Sequence, residues 1–277
     1  MVFFKFAKNG CISLDFEFKN NYNIFDLLKI MQILRSPNGC PWDKEQDHTS
    51  IRKNFIEETY EVCEAIDTGD MALLKEELGD VLLQVVFHSQ MEDEKGVFNF
   101  DDVADGVCKK LILRHPHIFS DVSVSTSAEV LVNWENIKKQ EKGQTTATDT
   151  LLSVPKTLPA LMRASKVQSR AAKTGFDYPN VDDALADLSS ELDELKQAIA
   201  NCDKPNIAEE MGDLLFSCVN VARFLEQDAE EVLSFSTEKF ISRFKIVEKL
   251  ATEQDVDMKT ASIDELNRLW KLAKQKM

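Results

Sequence analysis

The chain has 277 residues, 43% hydrophobic and 29% charged, an ordinary balance for a globular protein with a sizeable core. Its formal net charge of -15 argues against a nucleic-acid backbone as the main partner, which needs clustered Lys and Arg. The same charge disfavours an anionic substrate unless metal ions or a local basic cluster neutralise the site. No stretch approaches about 18 consecutive apolar residues, so no membrane span is expected. The six cysteines, Cys11, Cys40, Cys63, Cys108, Cys202 and Cys218, form no C-x-x-C pair. Their scatter predicts buried thiols in a reducing cytosol rather than a zinc ribbon.

Residues 1–21, with alternating Phe and a few Lys, hold no apolar run long enough for a signal-peptide core. A small hairpin or a disordered tail without function is expected there. Ile24, Leu27, Leu28, Met31 and Leu34 repeat at helical spacing, with Asn23 or Asp26 as the cap. Pro37 and Gly39 end that helix. The segment SPNGCPWDKEQDHTS follows as a turn-rich loop, in which Trp42 is expected to pack as an anchor. A second helix carries Glu57 to about Ile66, and a third runs from Met71 to about Glu94. The apolar stripe of the third is Leu74, Leu78, Val81, Leu82, Val85 and Val86, which puts Glu77 and Asp80 at the edge of a core. Further helices are expected from Asp101 to Leu113 and from Ala128 to Lys142.

Residues 143–150, GQTTATDT, are polar and are expected to link two domains, 22–142 and 151–277. Beyond them, a helix after Pro159 carries Arg163, Lys166, Arg170 and Lys173, a pattern that fits a solvated face. Four more helices are expected at 181–201, 206–227, 229–254 and 262–276, giving an all-α chain.

The chemistry centres on Glu57 to Asp80. Glu58 and Glu61 are three residues apart, as are Glu77 and Asp80, and residues three apart share a helix face. A turn at Thr68–Asp70 lets two antiparallel helices point four carboxylates at one another. Such a group cannot stay fully ionised unless a cation sits among it. The second half repeats this pattern at a constant offset of 133 positions, as Glu191, Glu194, Glu210 and Asp213. EELGDVLLQV aligns with EEMGDLLFSC. The shared Gly79 and Gly212 lie mid-helix, where Gly costs about 1 kcal/mol against Ala. That cost predicts a close backbone approach at both.

All-oxygen ligands select Mg²⁺, with Mn²⁺ as the alternative, over zinc, and Mg²⁺ on carboxylates usually serves phosphate chemistry. Lys239 and Arg243, one helical turn apart, are placed to hold distal phosphates. Trp270 with Lys274 can stack on a base and contact its phosphates. Lys110 and Arg114, and Trp134 and Lys138, are their counterparts in the first half.

These segments resemble the two-repeat MazG-type nucleoside triphosphate pyrophosphohydrolases. GCPWDKEQ, EETYEV, EELGDVLLQVVFHSQ, RHPHIF, PALMRASK, GFDY, EEMGDLLF and KFISRF carry the resemblance, in order, over about Tyr22 to Lys276. The resemblance implies an all-α tandem bundle, usually a homodimer, that hydrolyses NTPs and dNTPs between the α and β phosphates. It implies metal binding and catalysis by Glu191, Glu194, Glu210 and Asp213, with Glu58, Glu61, Glu77 and Asp80 as the first-repeat metal ligands. Substrate contacts are implied for Glu209, Lys239, Arg243, Trp270 and Lys274. Two-repeat members commonly use the second repeat for hydrolysis. Here the family motif EE-x-x-E is intact as Glu57, Glu58 and Glu61, but in the second repeat its first position is Ser190. A nucleotide-binding regulator without turnover, or a metal-stabilised helical scaffold, are the competing expectations.

Overall fold

The computed structural model describes residues 16–141 and 143–276, and every regular element among them is α-helical. The expected tail falls mostly on residues 1–15, and that part, with Cys11, lies outside the described residues. Residues 16–22 run into the first helix without regular structure. The chain divides into two compact units between Ile137 and Lys138.

In the first unit, α1 (Ile24–Arg35) is followed by α2 (Pro41–Glu45), α3 (Arg52–Thr68), α4 (Met71–Asp93), α5 (Phe100–Arg114) and α6 (Pro116–Phe119). Both candidate caps of α1 act together. The Asn23 side chain accepts from the Asp26 N–H, and the Asp26 carboxylate accepts from the Asn23 N–H. The turn-rich loop after α1 contains the short α2, because Pro41 at its first position is already set for a helix. Arg35 ties this loop down. Its guanidinium donates to the Asp43 and Gln46 carbonyls and forms a two-pronged pair with Glu94 at 2.8 and 3.0 Å. Gly39 is required there, since a Cβ would lie 2.1 Å from the Leu34 carbonyl oxygen. Trp42 does not pack as an anchor: α2 turns its ring outward and leaves it 57% exposed.

The α3–α4 connection is a tight helical hairpin. Gly69, at φ +69°, ends α3, and the Asp70 side chain caps α4 by accepting from Ala72 and Leu73 N–H. The core of this unit is Met31, Ile51, Val86, Phe87 and Met91, with Leu27, Leu28 and Phe100 packed around it. Burial of each such side chain stabilises by about 1.5–3 kcal/mol. The expected stripe of α4 is therefore only partly correct. Val86 is buried, but Leu78 and Leu82 are exposed, and the helix turns Glu77, Gln84 and Phe87 inward instead.

Helix α7 (Ser127–Glu141) crosses the division between the units. The second unit continues with α8 (Ala147–Leu152), α9 (Ala160–Ala172), α10 (Val181–Ala200), α11 (Lys204–Phe224), α12 (Ala229–Glu253) and α13 (Ile263–Gln275). Helix α8 starts inside the segment expected to be a polar link, because Thr146 and Asp149 form a capping box. Arg170 on α9 is not a solvated charge. It donates to the Thr150 carbonyl and, at 2.7 Å, to the Ser153 hydroxyl, holding α8 to α9. Helices α10 and α11 form the second hairpin. Its turn places Cys202 at φ +53°, where a residue with a Cβ costs about 1 kcal/mol and Gly69 in the first hairpin costs nothing comparable. Val247, Leu250, Ala251, Leu269 and Ala273 form the core between α12 and α13.

Two further expectations are corrected. A Cβ added at Gly79 or Gly212 would meet nothing within 4 Å, so no backbone approaches either glycine among the described residues. Cys63, Cys108, Cys202 and Cys218 are exposed and Cys40 is half-buried, all as free thiols: Cys63, Cys108 and Cys218 lie on helix faces turned from the cores, Cys202 in the α10–α11 turn and Cys40 just before α2. No helix among the described residues is long and apolar enough to cross a membrane.

Candidate metal centres

Each hairpin brings carboxylates together. In the first, Glu58 on α3 and Glu77 and Asp80 on α4 offer oxygens that all lie within 4.8 Å of one another. In the second, Glu191 and Glu194 on α10 and Glu210 on α11 do the same. The hairpin geometry explains this. The i,i+3 spacing puts each pair on one face, and the short turn makes the two faces meet. Glu77 is buried, at 8% exposure, and its neighbours Glu58 and Asp80 are half-buried.

The electrostatics follow from crowding. Glu58 is pushed above the usual glutamate range by desolvation and then by the charges of Asp80 and Glu61. Glu77 moves up through desolvation and then through the nearby Glu61 carboxylate. In the second centre, Glu191 is raised by desolvation, then Glu194, Asp187, Asp213 and Glu210. Glu210 is raised by desolvation, then Glu194, Asp213 and Glu209. Like charges held this close are relieved by a cation, and an all-oxygen set of this kind fits a hard divalent ion. Glu61 and Asp213 complete the two expected quartets electrostatically, without joining the tightest trios.

The expected substrate residues sit on other helices. Lys239 is exposed and Arg243 half-buried on α12; Trp270 is half-buried and Lys274 exposed on α13. Helix α13 packs on α12, and the Trp270 ring meets Phe240 with centroids 5.1 Å apart. The Arg243 Nε is buried and has no hydrogen-bond partner. Among the described residues no ion pair joins Lys239, Arg243 or Lys274 to the carboxylates. Glu209 lies exposed on α11 beside Glu210. In the first unit, the Arg114 guanidinium lies over the Trp134 ring, 5.2 Å from its centroid, so the corresponding cation and aromatic contact each other directly.

Two groups were missed by spacing alone. Asp187 lies one turn before Glu191, and its Oδ2 accepts from the Ser217 hydroxyl at 2.8 Å. The nearby Asp187 carboxylate, and then burial, push the Tyr178 hydroxyl up to about 12. The i−4 relation of Asp187 to Glu191 was the available signal. The second group is His48, whose Nδ1 lies 2.6 Å from His88 Nδ1 and whose Nε2 lies 2.5 Å from Glu92. These residues are 40 or more positions apart, and no local pattern marks them.

The comparisons with known proteins agree with this architecture. The MazG nucleotide pyrophosphohydrolase domain matches the chain twice, at residues 46–119 and 180–247. An Escherichia coli protein named nucleoside triphosphate pyrophosphohydrolase is 44% identical over 254 residues, covering 90% of this chain and 96% of the relative. A Thermotoga maritima protein named nucleoside triphosphate pyrophosphohydrolase/pyrophosphatase MazG is 42% identical over 249 residues, covering 90% and 94%. The Bacillus subtilis protein YabN is 45% identical over 247 residues, covering 89% of this chain and 50% of the relative. The chain belongs to the MazG nucleotide pyrophosphohydrolase family and is a hydrolase with tandem all-α repeats.

Proposed function

We propose that the protein hydrolyses nucleoside triphosphates, NTPs and dNTPs, at the α–β phosphoanhydride bond, giving a nucleoside monophosphate and pyrophosphate, and that it requires Mg²⁺, or Mn²⁺ in its place. The observation that carries this is the pair of carboxylate trios, each within 4.8 Å, on two helical hairpins of a MazG-family chain. The names of the Escherichia coli and Thermotoga maritima relatives support the substrate class.

In this reading Glu191, Glu194, Glu210 and Asp213 hold the ion of the second repeat, and Glu58, Glu61, Glu77 and Asp80 that of the first. When bound, the ion neutralises phosphate oxygens and makes water a better nucleophile. Lys239 and Arg243 bind the distal phosphates. Trp270 stacks on the base, Lys274 contacts phosphate, and Glu209 lines the substrate. The repeats are taken as residues 22–142 and 151–277, linked by 143–150, in a cytoplasmic protein that binds no nucleic acid. A homodimer is part of the proposal. Leu78 and Leu82 on α4, and Met211, Leu215 and Phe216 on α11, are exposed beside the carboxylates, and a second copy would cover them.

Purified protein with Mg²⁺ is expected to release pyrophosphate and a monophosphate from dNTPs, and a chelator is expected to stop it. Release of orthophosphate alone, or no product from any of the common NTPs and dNTPs, would sink the proposal. Ser190 favours a second reading, a nucleotide-binding regulator, and nucleotide binding that persists for hours without product would establish that instead.

A further inference from the structure

The two repeats differ in how their acidic groups are distributed. At the constant offset, Ser190 stands where the first repeat has Glu57, so the second centre lacks one carboxylate at that register. Three positions earlier the exchange runs the other way: Asp187 stands where the first repeat has Asn54. Its hydroxyl partner Ser217 stands where the first repeat has Gln84, whose buried Oε1 finds no hydrogen-bond partner. Asp187 is half-buried and lies on the same face of α10 as Glu191, one turn away. The Ser217 hydroxyl of α11 fastens it at 2.8 Å, and Tyr178, from the segment before α10, lies near enough to feel its charge.

Resting on the metal-centre reading above, we propose that Asp187 is a positioning carboxylate of the second centre, supplying from one helical turn away the negative charge that Ser190 no longer supplies. The Ser217 hydroxyl occupies part of its acceptor capacity and fixes its orientation. It therefore stays outside the set formed by Glu191, Glu194 and Glu210, and acts on a cation through that set. Its charge already bears on Glu191. Ser190 acts on the same set by another route, since its hydroxyl donates to Glu194 at 3.1 Å. The second centre thus exchanges one acidic side chain for a fastened carboxylate plus a hydroxyl that orients Glu194.

The test uses the full chain with the first centre silenced by Glu58→Gln and Glu61→Gln. Calorimetric titration with Mn²⁺ alone then reports the second centre. Adding Asp187→Asn is expected to weaken Mn²⁺ binding about tenfold, the scale on which an outer-shell partner acts. Adding Ser190→Glu to that variant is expected to return the affinity to within about threefold of the background, because the charge is restored at the register of Glu57. Ser217→Ala, which loosens Asp187 but keeps its charge, is expected to cost only a few-fold. Melting of each variant in chelator separates folding from binding. An Asp187→Asn chain that melts lower but binds Mn²⁺ like the background would make the Asp187–Ser217 pair a structural clasp and overturn the proposal. So would a loss that Ser190→Glu does not restore. A background chain that binds no Mn²⁺ at all would overturn the metal-centre reading itself, and this inference with it.

Discussion

The two hairpins use one scaffold to build two different centres. In the first, Glu58, Glu77 and Asp80 form the tight trio and Glu61 stands outside it; in the second, Glu191, Glu194 and Glu210 form it and Asp213 stands outside. The members left out, Glu61 and Asp213, are not counterparts at the constant offset. The neighbours differ as well: Ser190 donates a hydrogen bond to Glu194 where the first repeat has Glu57 at that register. Helix spacing and a short turn fix where the acidic groups gather, while the set of oxygens that converges differs between the repeats.

The largest expected effect tests which centre does the chemistry. Glu194→Gln should lower pyrophosphate release by more than about 100-fold, since loss of a cation ligand removes several kcal/mol of transition-state stabilisation. Glu61→Gln should leave most of the activity. Quantifying pyrophosphate from both variants decides the matter, and loss confined to Glu61→Gln would move catalysis to the intact motif.

A smaller effect is read from stability against pH. Glu77 has a raised folded-state pKa, so the native state holds its proton more tightly than the unfolded chain does. Without divalent cation, its contribution to stability therefore falls as pH rises from the ordinary glutamate value through the raised one. Glu77→Gln should melt above the parent at pH 7 in chelator, and the gap should close as the pH drops below the ordinary glutamate value. Millimolar Mg²⁺ should reverse the order. A variant that melts below the parent at pH 7 in chelator would show that Glu77 is stabilised by a partner rather than strained by like charges.

The smallest effect concerns Gly79. With open space around its Cβ position, Gly79→Ala should stabilise the protein by about 1 kcal/mol, the helix-propensity difference alone. Thermal melting measures this directly. A loss of stability would place a second copy of the chain against α4 at that point and would sharpen the dimer proposal.

The helices were legible because their signals are local. Asn23 with Asp26 announces the start of α1 within three residues, and both cap it as their positions suggest. The carboxylate pairs were legible for the same reason, since i,i+3 spacing needs only a helix to become a face. Burial was harder to read. The stripe on α4 suggested an inward Leu78 and Leu82, but a stripe marks an apolar face without saying which neighbour covers it. Trp42 misled in the same way, because α2 aims it outward.

By itself the sequence determined the all-α class, the duplication, the two turn-linked helix pairs and the placement of four acidic residues on each. These follow from periodicity, capping and spacing, which act within a few residues along the chain. Only the tertiary structure decided which three carboxylates meet in each centre, that Glu77 lies deeper than its leucine neighbours, and that Asp187 is fastened by Ser217. Those outcomes depend on contacts between residues far apart in sequence, whose energies exist only once the helices have packed.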